Sequence, residues 1–172
     1  MNLKLVEKED LPQLMEWTNR PEFYGEYNPL VQVPKADGEK GFEGPNRPKA
    51  FFIQKKDGTK IGIIGIESVM GGPSSGLEMG YALLPSERGK GYCTEAVILM
   101  LDYAFLSTTN IRVQAHTDTR NKASQSILEK TGFKKEGIAR KSLFMWGDWR
   151  DRYVYSILRE EWNEPKMLTR TA

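Results

Sequence analysis

Arg88-Gly89-Lys90-Gly91-Tyr92-Cys93 stands between an apolar strand pattern, Leu77 to Leu84, and an apolar helix pattern, Thr94 to Phe105. Gly89 and Gly91 remove side chains where the backbone must bend and let a ligand come close. The amides that follow open a helix, whose unpaired N–H groups and partial positive charge attract anions. Arg88 and Lys90 add positive charge at the same place, which suits a diphosphate better than a lone carboxylate. Neither the P-loop pattern G-x-x-x-x-G-K-[ST] nor the spaced glycines of a Rossmann loop occurs here. A solvated turn would read the same from the short string alone. Placement between strand and helix argues against it.

Working outward, the strand before the loop ends at Pro85, which cannot donate to a ladder. The helix after it places Val97, Ile98, Leu101, Ala104 and Phe105 on one face. Ile111 to Ala115 returns as a strand, Asn121 to Lys130 reads as a second helix with Gly132 just past its end, and strands over 133–145 and 149–158 flank the turn Trp146-Gly147-Asp148. Upstream, Asn2 to Val6 is a strand, and Leu11, Leu14, Met15 and Trp17 make an apolar helical face behind Glu9 and Asp10. Residues 21–49 carry Pro29, Pro34, Pro45 and Pro48, which suggests irregular structure with a short helix inside, either a substrate loop or a disordered insertion. Phe51 to Gln54, the turn Asp57-Gly58 and Lys60 to Val69 form a hairpin, and the loop from Gly71 to Gly76 leads to the strand before Pro85. The resulting order, β-α, then β-β-β, then α-β-α-β-β, mixes antiparallel hairpins with one crossover around the central helix.

The chain of 172 residues fits one domain over 1–172, and its 39% apolar and 28% charged content is that of a globular protein. No run approaches the roughly 18 consecutive apolar residues of a membrane span. The N-terminus lacks the basic region and apolar run of a secretory signal. With Cys93 and His116 the sole residues of their kinds, a disulfide framework is excluded and a metal site is not expected. A reducing cytoplasm is the expected setting. The net charge of +2 arises from 25 basic and 23 acidic residues mixed along the chain, so neither nucleic acid nor a membrane surface is an expected partner. Arg140, Lys141, Arg150 and Arg152 are the densest basic group and read as a solvated strand face.

The loop looks like the Arg/Gln-x-x-Gly-x-Gly/Ala acetyl-CoA motif of the GNAT acetyltransferases, and Met79 to Pro85 resembles the strand before it. Asn121 to Phe133 is similar to the family's Asn-x-x-Ser-x-x-x-Leu-Glu-Lys-x-Gly-Phe segment, and Trp17-Thr18-Asn19-Arg20 fits its first helix. Gly147 to Ser156 resembles the closing hairpin of the Rim-type enzymes that acetylate ribosomal-protein N-termini. The resemblance implies an α/β (α+β) GNAT acyl-CoA N-acyltransferase fold, its mixed central sheet splayed between the fourth and fifth strands and flanked by helices. Acetyl-CoA would be the acyl donor, its pantetheine in the gap against the backbone of Leu83 and Leu84. Its pyrophosphate would sit on the amides of Arg88, Gly89, Lys90, Gly91, Tyr92, Cys93 and Thr94, and Asn121 and Ser124 would contact the pantetheine arm. Asn121 could equally cap its helix, and one residue can do both.

Acyl transfer from a thioester to an amine needs a neutral amine, a stabilised oxyanion and a proton for the thiolate. No covalent nucleophile is required, and Cys93 stands where the motif has Gly or Ala. Glu78, on the strand expected to polarise the thioester, is the candidate base, although an exposed strand residue paired with a lysine would look the same. Many relatives carry a tyrosine acid directly after the position of Leu128; Glu129 stands there instead, which leaves Tyr92, Ser126 or water. His116 reads as a lone structural histidine, and Trp146 and Trp149 as core anchors. The acids Glu22, Glu26, Asp37, Glu39 and Glu43 near the acceptor entrance suit a cationic or peptide amine, or a solvated face. The expected acceptor is a protein or peptide N-terminal amine. A small amine (polyamine, amino acid or aminoglycoside) is the rival, and a catalytically silent acyl-CoA-binding module the reading from another class. The oligomeric state stays open, with a homodimer among the options.

Overall fold

The computed structural model describes residues 1–30, 32–42, 49–69, 76–162 and 164–168. Seven strands form one sheet: β1 Asn2–Leu5, β2 Lys49–Gln54, β3 Lys60–Ser68, β4 Leu77–Leu83, β5 Arg112–Asp118, β6 Lys134–Met145 and β7 Asp148–Leu158. They lie in the order β1-β2-β3-β4-β5-β7-β6. Every neighbouring pair is antiparallel except β4 with β5. That parallel pair is joined by the crossover helix α4, Tyr92–Ser107, which the notation here numbers after α1 Leu11–Thr18, α2 Pro21–Tyr24 and α3 Lys35–Gly41. Helices α5, Lys122–Lys130, and α6, Arg159–Trp162, complete the chain order.

Alternation along β2 divides the core between the two faces of the sheet. Phe51 and Ile53 face α4, whereas Phe52 faces α1 and α2. On the first face Ala96, Val97, Met100 and Ala104 of α4 have no exposed surface. Each large apolar side chain so buried contributes about 1.5–3 kcal/mol. On the second face Trp17 meets Phe23 at 5.6 Å and the edge of Phe52 at 5.5 Å between ring centroids, which fixes the short helix α2 against the sheet.

The expected irregular stretch contains two helices, α2 and α3, with a 3-10 turn over Gly25–Tyr27. The parts of it holding Glu43, Pro45 and Pro48, and the expected loop from Gly71 to Ser75, lie outside the described residues. Gly132 has φ +97° just beyond α5, the helix-ending role its sequence position predicts. Trp146 and Trp149 do not anchor the core: they are 48% and 56% exposed. β7 pairs with β5 only from Arg152 onward, so the hairpin tip projects past the sheet, with Trp149 packed on Phe144 at 5.6 Å.

A buried carboxylate fastens the C-terminal segment to α4. Asp102 is fully buried and accepts hydrogen bonds from Trp162 Nε1 (2.9 Å) and from the amides of Lys166 (3.0 Å), Met167 (2.7 Å) and Leu168 (2.9 Å). Trp162 also packs on Phe105, 5.4 Å between ring centroids. Removing the carboxylate leaves several donors without their charged acceptor, and such bonds contribute about 1.5–3 kcal/mol each. Asp102→Ala should therefore lower unfolding stability in urea by at least about 3 kcal/mol and speed amide exchange at 166–168.

Candidate functional site

The loop between β4 and α4 presents bare amides to open space. Gly91 is the N-cap of α4 at φ +84°, with no side chain capping the helix. The first-turn amides of Tyr92, Cys93 and Thr94 accordingly have no intrahelical acceptor. A Cβ added to Gly89 or Gly91 would meet no atom within 4 Å. The helix start thus keeps both its positive end and the room for an anion.

The charges of the motif are placed differently from expectation. Arg88 does not reach into that space: its guanidinium donates to the carbonyls of Leu83 (3.2 Å), Glu22 (3.1 Å) and Phe23 (2.7 Å), tying the loop to α2. Lys90 pairs with Glu87 at 3.1 Å, and Glu87 also holds Lys55 at 2.9 Å. Tyr92 packs against the core with the Lys55 ammonium 5.5 Å from its ring, and neither it nor Ser126 lines a cleft. Cys93 lies on the cleft wall but is buried, and burial pushes its thiol up to about 12.

The sheet opens where the sequence resemblance places the gap. β4 and β5 pair only at Leu77↔Val113 and Glu78↔Gln114. The Leu84 amide donates to Ile61 O (2.9 Å) and its carbonyl accepts from the Glu87 amide (2.9 Å), so Leu84 turns its main chain away from the gap. By the alternation of an antiparallel ladder, Met79, Tyr81 and Leu83 then direct theirs toward β5. Leu83 thus turns its main chain into the gap, as do Met79 and Tyr81, and Leu84 does not.

A cleft of about 340 Å³ runs through this opening, past Gly89 and Cys93 to α5. Asn121 and Ser124 lie on its wall, and each has a structural partner as well. Asn121 Oδ1 accepts from the Ser124 amide at 3.1 Å, capping α5, and Ser124 Oγ meets the Tyr81 hydroxyl at 2.9 Å. Burial raises the Tyr81 phenol well above its ordinary value, so it stays a protonated donor. The Thr117 hydroxyl, in the same wall, is buried with no partner among the described residues.

A second cleft of about 350 Å³ opens beside Ala50, Ile63, Glu67 and Glu78. It adjoins the first through Tyr24, Asn28, Gly80, His116 and Arg152, which line both. His116 is not alone: its Nδ1 lies 2.9 Å from Glu78 Oε1, while Gln114 Nε2 donates to Glu78 Oε2 at 3.2 Å. The hydrogen bond from His116 is the largest influence on the Glu78 carboxyl, which is held below the usual carboxylate range despite its partial burial. The tip of the β6–β7 hairpin reaches this wall, since Trp146 Nε1 donates to Asn28 O at 3.0 Å. Sequence reading, which places Tyr24 in the loop near the amine entrance, misses His116, Asn28 and Arg152 because nothing in the string reveals the β4–β5 register or where the hairpin tip lands. Among the described residues no group of acids, histidines or cysteines is arranged to hold a metal ion, and no helix is long and apolar enough to cross a membrane.

Residues 1–134 match the family model of the acetyltransferase (GNAT) domain. The chain is 40% identical over 105 residues to the probable N-acetyltransferase YjcK of Bacillus subtilis, a stretch covering 61% of this chain and 58% of that protein. It is 28% identical over 159 residues to the uncharacterized N-acetyltransferase YnaD of the same organism, covering 88% and 92%. With the ribosomal protein uS5 alanine N-acetyltransferase of Escherichia coli it shares 29% identity over 102 residues, 59% of this chain and 53% of that one. The spermidine N-acetyltransferase of Vibrio cholerae, solved with CoA and spermine, superposes with a TM-score of 0.81 at 19% identity over 95% of this chain and 98% of that chain, a likeness of fold. With a mixed sheet parted between its fourth and fifth strands and the family's loop at the start of α4, the chain belongs to the GNAT acetyltransferase family and is an acetyl-CoA-dependent N-acetyltransferase.

Proposed function

We propose that residues 1–172 act as one catalytic domain that moves the acetyl group of acetyl-CoA directly to the primary amine of a protein or peptide N-terminus. The observation that carries this reading is the meeting of two clefts at the parting of β4 and β5, with the Glu78–His116 pair at their junction. The residues present fit the donor. Open space beside Gly89 and Gly91 leaves room for a pyrophosphate on the amides of Gly89, Lys90, Gly91, Tyr92, Cys93 and Thr94, and Lys90, paired with Glu87, stands beside it. Arg88 serves by holding the loop in shape. Met79, Tyr81 and Leu83 offer main-chain groups to pantetheine, with Asn121 and Ser124 on the opposite wall.

Attack is direct, because a thiol raised to about 12 and buried behind the loop is no nucleophile at neutral pH. The acceptor cleft supports an extended chain: Gly80 on its floor leaves open space where a side chain would stand, and its wall is closed by the hairpin whose sequence resembles the Rim-type enzymes. Similarity to the uS5 alanine N-acetyltransferase points the same way. One feature favours a small polycation instead. Glu67 lies directly across from Glu78 on β3, and two facing carboxylates welcome a polyamine such as the one bound by the Vibrio cholerae neighbour.

Purified protein mixed with acetyl-CoA and a panel of peptides and small amines should release free thiol fastest with a peptide bearing a free N-terminus. Faster release with spermidine would move the assignment to polyamines, and saturable acetyl-CoA binding with no release at all would leave a silent binding module. Gly91→Asp should weaken acetyl-CoA binding by calorimetry at least about 10-fold, or about 1.4 kcal/mol, while Gly91→Ala, which carries the backbone strain without the charge, should weaken it less. At pH 8.5 iodoacetamide should alkylate folded Cys93 roughly 1000-fold more slowly than a free cysteine. Rapid alkylation with loss of activity would reopen a covalent route.

A further inference from the structure

We propose that the atom taking the proton from the acceptor is Nε2 of His116, and that Glu78, the carboxylate the sequence nominates, is the positioning residue that orients and tunes this imidazole. The proposal rests on the N-acetyltransferase reading above and names the working group within it. Both oxygens of Glu78 are already engaged, Oε1 with His116 Nδ1 and Oε2 with Gln114 Nε2. A carboxylate held low by these contacts has little appetite for the proton of an ammonium ion. The imidazole is the reverse case. With Nδ1–H donated to the carboxylate, the ring is locked in the tautomer whose Nε2 carries a lone pair, and Nε2 has no hydrogen-bond partner among the described residues. His116 is also the member of the pair that lines both clefts, whereas Glu78 lines only the second.

The placement follows from the register. Glu78↔Gln114 is the last paired position of β4 and β5, so His116, two residues along β5, lies on the same face where the strands have begun to part. A carboxylate on one strand can therefore cross the opening gap and hold a ring on the other. Burial supports the division of labour: the His116 side chain is 18% exposed and that of Glu78 33%. The charged and titratable groups that line the two clefts with His116 are Glu67 from β3, Glu78 and Tyr81 from β4, Arg88 from the loop before α4 and Cys93 from its start, Asp118 from β5, Arg152 from β7, and Tyr24 and Tyr27 from the α2 segment. Asp118 is held by Arg120 at 3.1 Å, which leaves Glu78 as the carboxylate in contact with the imidazole.

The step balances without a further reagent. The ammonium gives one proton to Nε2, and the imidazolium formed is stabilised by Glu78 and later releases that proton to solvent. The freed amine nitrogen bonds the thioester carbonyl carbon, the C–S bond breaks with its electron pair on sulfur, and a second N–H proton of the nascent amide passes to the thiolate.

The test compares His116→Gln with Glu78→Gln in thiol release across pH, with acetyl-CoA affinity as the check on folding. His116→Gln should lower kcat roughly 100-fold or more, remove the acid limb of the kcat/KM profile and leave acetyl-CoA affinity within about 2-fold. Glu78→Gln should keep an acid limb, because the imidazole is still present, and should lower kcat less than His116→Gln does. Imidazole added to His116→Ala should restore part of the rate. The opposite pattern, a limb that survives in His116→Gln and vanishes in Glu78→Gln, would return the base to Glu78 and overturn the proposal while leaving the acetyltransferase reading intact. A wild-type protein that releases no thiol with any amine would sink that reading instead. If Glu78→Gln is too slow for a profile, ¹⁵N NMR of the single imidazole decides: the wild type must show protonated Nδ1 and bare Nε2, and the reverse tautomer excludes the role.

Discussion

Two adjacent parallel strands normally satisfy each other's main-chain groups along their whole length, and an unpaired buried amide costs free energy comparable to a lost hydrogen bond. β4 and β5 stop after two paired positions, Leu77↔Val113 and Glu78↔Gln114. Everything distinctive about the site follows from that early end. Main-chain groups of Met79, Tyr81 and Leu83 are left facing a cleft where a ligand's amides can replace the missing strand. The remaining sheet keeps the gap from closing: β4 is held in full register to β3 on one side, and β5 to β7 over Arg112↔Leu158 to Asp118↔Arg152 on the other. The opening is therefore a rigid feature of the scaffold, ready before any ligand arrives.

Arg88 shows how such a site divides its electrostatic labour. A guanidinium bonded to the backbone carbonyls of Leu83, Glu22 and Phe23 is a strut, and the amides at the start of α4 are left without a side-chain cap. Amides suit the task because they are fixed in direction and carry only partial charge, so a ligand can leave as well as bind. The strut has a second effect. It joins the donor loop to α2, and the segment that continues from α2 supplies Tyr24 and Asn28 to the wall shared by both clefts. Donor and acceptor geometry thus rest on one side chain, through contacts that no phosphate competes for.

The parts of this architecture that were legible in the sequence are those with a local cause. Pro85 ends β4, paired glycines turn the chain into α4, and the 3.6-residue spacing of Val97, Leu101 and Ala104 buries one face of the helix. Asn121 caps α5 as its position before an apolar run predicts. What was not legible depends on partners distant in the chain. Leu84 looks like a continuation of the strand, yet its amide is claimed by Ile61 on β3. His116 looks solitary because its carboxylate lies 38 positions earlier and meets it only through the parallel register. Trp146 and Trp149 look like core residues by composition, but β7 outruns β5, and a strand beyond its neighbour has no core to enter.

The departure at Glu129 fits the same division between local and distant causes. A tyrosine there would point an acid at the thiolate; Glu129 instead accepts the Tyr155 hydroxyl at 2.8 Å, a contact that secures α5 to β7. Tyr155 is fully buried, and burial together with that carboxylate raises its phenol, so the pair is a fixed structural bond rather than a proton source. Protic groups on the wall of the first cleft include the Tyr81 hydroxyl, hydrogen-bonded to Ser124 Oγ, and the Thr117 hydroxyl, buried without a partner among the described residues. All three oxygens lie on residues lining the first cleft, and Tyr81, like His116, lines the second as well. Glu129 in place of the usual tyrosine thus still leaves hydroxyl donors on the wall of the first cleft.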